Sequence, residues 1–297
     1  MNKIKQCRQD KIFDVVNMIF LVIAFLLIIY PLWVVLISSV SSAQAVNYGQ
    51  VIWRPVNFSL QGFKYVFSAN DILAGYRNTI IYTFLGTLIN LFVTLTAGYS
   101  LSRRDLKGRG IIITFFVITM YFNGGLVPFY MLVRDIGLYN TPWIMILLGA
   151  VSVHYLIITR SFYSMTIPHE LFEAASIDGC SDLKYFVRIV LPLSKALVSV
   201  LALYFGVLHW NNFWNALLFL SNRSLFPLQV FLRNILLAGQ NISTESGATW
   251  EELERRLQYA ETIKYGLVVV ASFPILVIYP FFQRYFVRGI MIGSLKG

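Results

Sequence analysis

The sequence predicts an all-α, polytopic membrane protein with six transmembrane helices. Three observations predict it: too few polar residues for a soluble globule, six long apolar stretches, and a one-sided distribution of Lys and Arg. The 297 residues are 57% hydrophobic, 16% aromatic and only 13% charged, with a mean hydropathy of +0.67. That composition cannot clothe a water-soluble surface at this length. The formal charge of +10 comes from 24 Lys and Arg against 14 Asp and Glu. No basic run is interleaved with exposed-type aromatics, so the excess reads as cytoplasmic flanks of membrane helices and not as nucleic-acid binding. Cys7 and Cys180 show neither metal-ligand nor disulfide spacing.

A hydrocarbon core of about 30 Å needs about 20 helical residues. Six stretches meet that length: Val15–Ser38, Asn78–Leu101, Ile111–Val133, Pro142–Thr159, Ala196–Leu220 and Tyr265–Gln283. The first has too long an apolar run, and no small-residue cleavage site after it, for a cleaved signal peptide. Pro31, Pro128, Pro274, Pro280 and the pair Gly124-Gly125 predict kinked or broken spans, serving either helix packing or a wet pathway. Fifteen of the basic residues fall on one side: Lys3, Lys5, Arg8 and Lys11, then Arg103, Arg104, Lys107 and Arg109, then Arg160, Lys184, Arg188 and Lys195, then Arg284, Arg288 and Lys296. Both termini are therefore expected in the cytoplasm of a multi-pass protein whose residues 1–297 form a single transmembrane domain.

Residues 162–192 form the longest loop on that side. Ile167 to Pro192 reads as two short helices joined at Gly179, with Pro168 suited to a first helical position and Gly179 to a left-handed terminator. Leu171, Ala174, Ala175 and Asp178 share one shallow face. Ser181 suits the cap of the second helix, whose stripe of Leu183, Phe186, Val187 and Val190 is expected to pack beneath the bundle.

Glu173-Ala174-Ala175, three residues, Gly179, nine residues, Ile189, one residue and Leu191-Pro192 resembles the full signature of the permease subunits of binding-protein-dependent ABC importers. The resemblance implies a type I importer permease fold and makes this loop the coupling helix. In that family the position of Glu173 meets basic groups of the ATPase, and the alanines sit in its cleft. Asp178, Gly179, Ile189, Leu191 and Pro192 complete the coupling set. Tyr76-Arg77-Asn78-Thr79-Ile80, Leu101-Ser102-Arg103-Arg104, Gly124-Gly125-Leu126-Val127-Pro128, Gly137-Leu138-Tyr139-Asn140-Thr141 and Pro192-Leu193-Ser194-Lys195 resemble the carbohydrate-uptake branch. His209-Trp210-Asn211, Pro227-Leu228-Gln229, Leu232-Arg233 and the terminal run from Val287 to Gly297 resemble its subgroup importing polysaccharide-derived oligosaccharides, uronate-containing ones among them. Cys180 stands where many relatives carry alanine.

The implied partners are a second homologous permease forming a heterodimer, two ATP-binding cassette subunits, an extracytoplasmic sugar-binding protein and the lipid of a bacterial cytoplasmic membrane. No phosphate-binding Gly-rich Lys-Ser/Thr loop is present, so no cofactor is expected on this chain, and ATP and magnesium belong to the partner ATPase. The chain is accordingly read as a transport subunit with no catalytic residue and no metal site.

A sugar pathway calls for aromatic faces and amides. Span five offers His209, Trp210, Asn211, Asn212, Trp214 and Asn215, a density of polar groups that marks functional candidates inside a membrane. Asn211 and Asn215, four apart, equally suit hydrogen bonding to a neighbouring helix. Tyr121 and Asn123 beside the Gly-Gly pair are further candidates. Residues 221–262 form a long extracytoplasmic loop in which Thr249-Trp250-Glu251-Glu252 predicts a helix start. An integral-membrane enzyme would need converging acids, bases or metal ligands, and an ion-driven carrier would need charges within its spans. The sequence supplies neither. A monosaccharide or sugar alcohol is the alternative cargo.

Overall fold

The computed structural model describes residues 8–122, 124–241 and 250–294, and the regular elements among them are all helical. In order come α1 (Arg8–Ser39), α2 (Ala43–Asn47), α3 (Gln61–Ser68), α4 (Asn70–Ser102), α5 (Arg109–Tyr121), α6 (Leu126–Asp135), α7 (Pro142–Leu147), α8 (Val153–Thr166), α9 (His169–Ile177) and α10 (Asp182–Tyr185). A π-helical turn, Phe186–Val190, follows, then α11 (Leu191–Leu193), α12 (Lys195–Trp210), α13 (Trp214–Phe219), a 3-10 turn at Arg223–Leu225, α14 (Leu228–Asn241) and α15 (Trp250–Ser294).

Among the described residues, three helices are long and apolar enough to cross a membrane: Gln9–Ser39, Asn70–Ser102 and Ile263–Gln283. Two bent pairs reach that length together, Arg109–Tyr121 with Leu126–Asp135, and Asp182–Leu193 with Lys195–Trp210. The spans thus differ from six straight helices. The third breaks at the Gly124-Gly125 pair, where Gly125 has φ +86°. The fourth is interrupted over 148–152, with Gly149 at φ +80° just past α7. The fifth turns over 211–213. Pro128 stands at the third-span break, in the first turn of α6, whereas α1 continues through Pro31, and α15 through Pro274 and Pro280. Membrane helices tolerate proline where neighbours satisfy the freed carbonyl.

The chain forms two compact units, one from Met1–Ala69 and Leu232–Ala271, the other from Asn70–Phe231 and Ser272–Gly297. In the first, Ile37, Ala45 and Val51 form a small core. The Ser41 hydroxyl donates to the Ile37 carbonyl (2.6 Å) and accepts from Val56 N–H (3.2 Å), and Trp33 Nε1 donates to the Trp53 carbonyl (3.1 Å). The apolar side chains of α1 are exposed along most of its length.

In the second unit α4 is the spine, packed on α8 and α12. Gly98 admits α8 closely, since a Cβ there would lie 2.5 Å from Thr159 Cγ2, and Gly86 admits the His209 ring of α12 in the same way. Small residues at such crossings are what bring membrane helices together when burial from water offers no drive. Two apolar cores flank this spine. One gathers Tyr82, Val133, Ile144, Met145, Ala216 and Phe219. The other gathers Leu95, Tyr163, Tyr185, Phe186, Val190 and Leu201.

At one end of α4, polar side chains hold the segment after α13. Asn78 Nδ2 donates to the carbonyls of Ser224 (2.7 Å) and Phe226 (3.2 Å), and the Tyr82 hydroxyl donates to that of Leu225 (3.0 Å). Thr79 Oγ1 accepts from Leu228 N–H at 2.8 Å. Asn140, at φ +55°, accepts from the N–H groups of Ser221 and Asn222 at 3.0 and 2.9 Å.

Candidate functional site: a polar cavity at two helix breaks and the 162–192 loop

An interrupted helix leaves carbonyls without intrahelical partners, and inside a bilayer each orphan costs several kcal/mol. Asn90, 2% exposed at the middle of α4, answers this at the fourth span. Its Nδ2 donates to the carbonyls of Gly149 (2.7 Å) and Ala150 (3.1 Å). With both amide hydrogens so used, its Oδ1 is left to accept, and His209 Nε2 lies 2.7 Å away. That distance suits an Nε2–H donated to the Asn90 oxygen, and the Met145 backbone also meets the ring. One amide thereby joins the break after α7 to the end of α12.

Beside this node lies a cavity of about 310 Å³ whose polar lining is Asn90, Ser152, His209, Asn211, Asn212 and Asn215, with Trp214 among its aromatics. Among the described residues no Lys, Arg, Asp or Glu lines it. Asn212 Oδ1 accepts from Asn215 N–H at 3.3 Å and so caps α13, and Asn211 Oδ1 accepts from Gln229 Nε2 at 3.4 Å. Among the described residues no three His, Cys, Asp or Glu side chains converge as metal ligands would. The arrangement offers amides, an imidazole and an exposed indole to a neutral polyhydroxyl surface.

The sequence groups Trp210 with these residues, and the helix separates it from them. Trp210 is buried, edge-on to Tyr76 at 5.9 Å, and lines a different, apolar cavity of about 670 Å³ between α4, α12 and the Pro274–Phe282 stretch. Tyr121 is exposed at the end of α5 and lines neither cavity. Asn123 and Thr249 lie outside the described residues. Asn90, whose side chain ties the site together, is not among the candidates the sequence singles out. Its signal is a lone amide between Ile89 and Leu91 in an apolar run.

The 162–192 loop holds a second constellation. α9 begins at His169, with Pro168 one position outside it (φ −61°, ψ 143°), and ends at Asp178, which occupies the C-cap. Gly179 follows at φ +70°, with open space where a Cβ would stand. Glu173 and Ala174 face outward and Ala175 is buried, and His169 Nε2 lies 3.6 Å from the Glu173 carboxylate. Ser181 takes the cap position of α10 without a side-chain capping bond.

The second helix of the loop departs from the expected stripe. Phe186 and Val190 are buried, but Leu183 and Val187 are 73% and 50% exposed, and Tyr185 takes their place in the core. The cause is the π turn ahead of Pro192. The proline has no N–H to give and its ring would press on the Arg188 carbonyl, so the chain widens to an i→i+5 turn in which Leu191 N–H donates to the Phe186 carbonyl. The extra residue rotates Leu183 and Val187 off the packed face. Ile189 and Leu191 are half-buried and Pro192 exposed, and the segment meets α12 at 82°. Arg103, just past α4, clamps the loop: its guanidinium stacks 3.4 Å above the Phe172 ring and donates to both Asp105 oxygens at 2.9 and 2.8 Å. Those bonds hold the Asp105 carboxyl below its ordinary range.

Three comparisons bear on this architecture. No protein-family model matches the chain. It is 35% identical over 290 residues to the protein LplC of Bacillus subtilis, covering 98% of this chain and 97% of that one. It is 35% identical over 292 residues to the polygalacturonan/rhamnogalacturonan transport system permease protein YtcP of the same organism, covering 97% of this chain and all of the relative. The fold superposes with a TM-score of 0.84, at 29% identity over 96% of the chain, on a chain in the crystal structure of a bacterial ABC transporter involved in the import of the acidic polysaccharide alginate.

Proposed function

Because the chain belongs to the permease subunits of ABC sugar importers, we propose that it forms one membrane half of an importer that carries polysaccharide-derived oligosaccharides, uronate-containing ones included, into the cytoplasm by alternating access. It is a transport subunit and not an enzyme. In this reading a second permease completes the pathway, two ATPase subunits dock on the 162–192 loop, and a sugar-loaded binding protein delivers the cargo. ATP and magnesium sit on the ATPase. The Glu173–Asp178 face with Gly179 couples hydrolysis to the bundle, and Ile189, Leu191 and Pro192 carry the motion into α12.

The observation that carries the saccharide reading is the cavity of amides, imidazole and indole beside two helix breaks, without a charged side chain among the described residues, while the uronate part of the reading rests on the relatives. Amides pair with hydroxyls and an indole stacks on a pyranose face, while broken helices provide the backbone irregularity that pathway sites use. The relatives named for polygalacturonan/rhamnogalacturonan and for alginate favour oligosaccharides over the monosaccharide alternative.

The test is binding-protein-stimulated ATP hydrolysis and uptake by the reconstituted complex across a panel of galacturonate oligomers, neutral oligomers and monosaccharides. Oligomers should stimulate both. Trp214→Ala and Asn215→Ala should each lower uptake roughly 5- to 150-fold, the equivalent of about 1–3 kcal/mol for a lost stacking face or paired amide, with the ATPase still bound. Stimulation by monosaccharides alone would reject the cargo, and normal uptake by both variants would reject the cavity.

A further inference from the structure

A second polar cavity, of about 940 Å³, opens between α4, α8 and the 162–192 loop, and its wall is short of acceptors. Four polar atoms there make no hydrogen bond in strict geometry: Tyr99 Oη of α4 and Arg103 Nη1 just past it, whose side chains approach each other, and Arg160 Nε and Tyr163 Oη from α8. Tyr163 approaches the Ser194 hydroxyl, which gives its own proton to the Val190 carbonyl at 2.7 Å and keeps its lone pairs to accept, but the two groups are not aligned for a bond. Arg160 and Tyr163, three apart on α8, share one face, and Arg103 follows α4 directly, within reach of Tyr99. Tyr163 is 3% exposed, where an unmade hydrogen bond carries the full desolvation cost.

The charges point the same way. Arg103, Arg104, Arg109 and Arg160 line the cavity against two carboxylates, Glu170 and Glu173. Arg103 already serves Asp105, with Asp182 at 3.8 Å, and Arg109 donates to the Arg103 carbonyl at 3.2 Å. Arg160 pairs with no carboxylate among the described residues. Converging guanidiniums and hydroxyls without an acceptor call for a group rich in anionic oxygens. A carboxylate offers two oxygens in one plane; a free phosphate spreads its oxygens tetrahedrally around more than one negative charge, and a lipid phosphodiester presents two non-bridging oxygens with a single charge.

We propose that this cavity is a phosphate-binding site, taking either free phosphate or the phosphate of an anionic lipid headgroup. Because His169 and Glu173 line the same cavity, its occupant ties α4 and α8 to the loop and adjusts how firmly α9 is held.

The test uses the complete transporter without sugar. In nanodiscs of phosphatidylcholine, binding of inorganic phosphate is measured by calorimetry; in nanodiscs containing phosphatidylglycerol, retained lipid is counted by native mass spectrometry. Phosphate binding in the first arm assigns the site to free phosphate, and lipid retained in the second assigns it to a headgroup. Arg160→Gln and Tyr163→Phe should each weaken the ligand found by at least about tenfold, as expected for loss of a charge-assisted or buried donor. The Phe variant keeps the packed ring, so a loss there is not misfolding. Neither probe binding to the wild type would overturn the proposal, as would unchanged binding by both variants or binding of free galacturonate in place of phosphate.

Discussion

Inside a bilayer an amide has no water to fall back on, so the three hydrogen bonds of Asn90 decide more than their distances suggest. Asn90→Leu would leave the Gly149 and Ala150 carbonyls and the His209 ring unpaired, at about 1–3 kcal/mol for each orphan. A marked fall in the thermal midpoint of the detergent-solubilised complex, followed by tryptophan fluorescence, is the expected outcome; an unchanged midpoint would show that the node is incidental. Gly86→Ala attacks the same contact sterically, with a Cβ 2.5 Å from His209 Nε2, and should cost about 1–3 kcal/mol by overpacking. The two losses should add to less than their sum, because both act on one ring. The sequence shows that span five is polar, but not that His209 meets Asn90 while Trp210 turns to Tyr76 and a different, apolar cavity. That division depends on where the fifth span turns, and neighbouring residues on a helix always diverge.

At the scale of elements, the helices are more legible than their interruptions. The long runs of α1, α4 and α15 follow from apolar composition alone. Most of the prolines mislead, since α15 passes through two of them, and the breaks at 148–152 and 211–213 depend on distant partners such as Asn90. Gly149 is the one local sign of the first break. The first half of the 162–192 loop is more fully legible, because a glycine between two short helices has few alternatives, whereas the π turn ahead of Pro192 undoes the stripe expected of the second half. Gly179 sits at φ +70° with free space beside it, so any cost of substitution there comes from the backbone. Gly179→Val should lose about 1–2 kcal/mol locally and misdirect α10, whereas Gly179→Asn should be milder. Glu173→Lys, at an exposed position, should leave insertion intact and weaken the ATPase contact through like charges. For both Gly179→Val and Glu173→Lys the expected outcome is sugar uptake lost while ATP hydrolysis no longer responds to the binding protein. Wild-type values of both activities for Glu173→Lys would reject the coupling assignment.

At the scale of the whole molecule, the basic residues named in the sequence predict sidedness, which no intramolecular contact can report. Reporters at residue 1, near Lys107 and at Gly297 should share the cytoplasmic side, with one near Asn241 opposite; an impermeant thiol reagent acting on single-cysteine variants checks this. Labelling of the Lys107 and Asn241 positions from the same side would reject the arrangement. The Asn90 node also sets a timetable. Gly149 follows Asn90 by 59 residues and His209 by 119. At about 5–20 residues per second of synthesis, α4 waits about 3–12 s for its first acceptor and about 6–24 s for the imidazole. Throughout that interval the nascent chain holds an unsatisfied amide at the centre of a helix bound for lipid, and only the insertion machinery or residual water can occupy it. A pause in synthesis between residues 91 and 149 would lengthen the time that amide spends without its native acceptors.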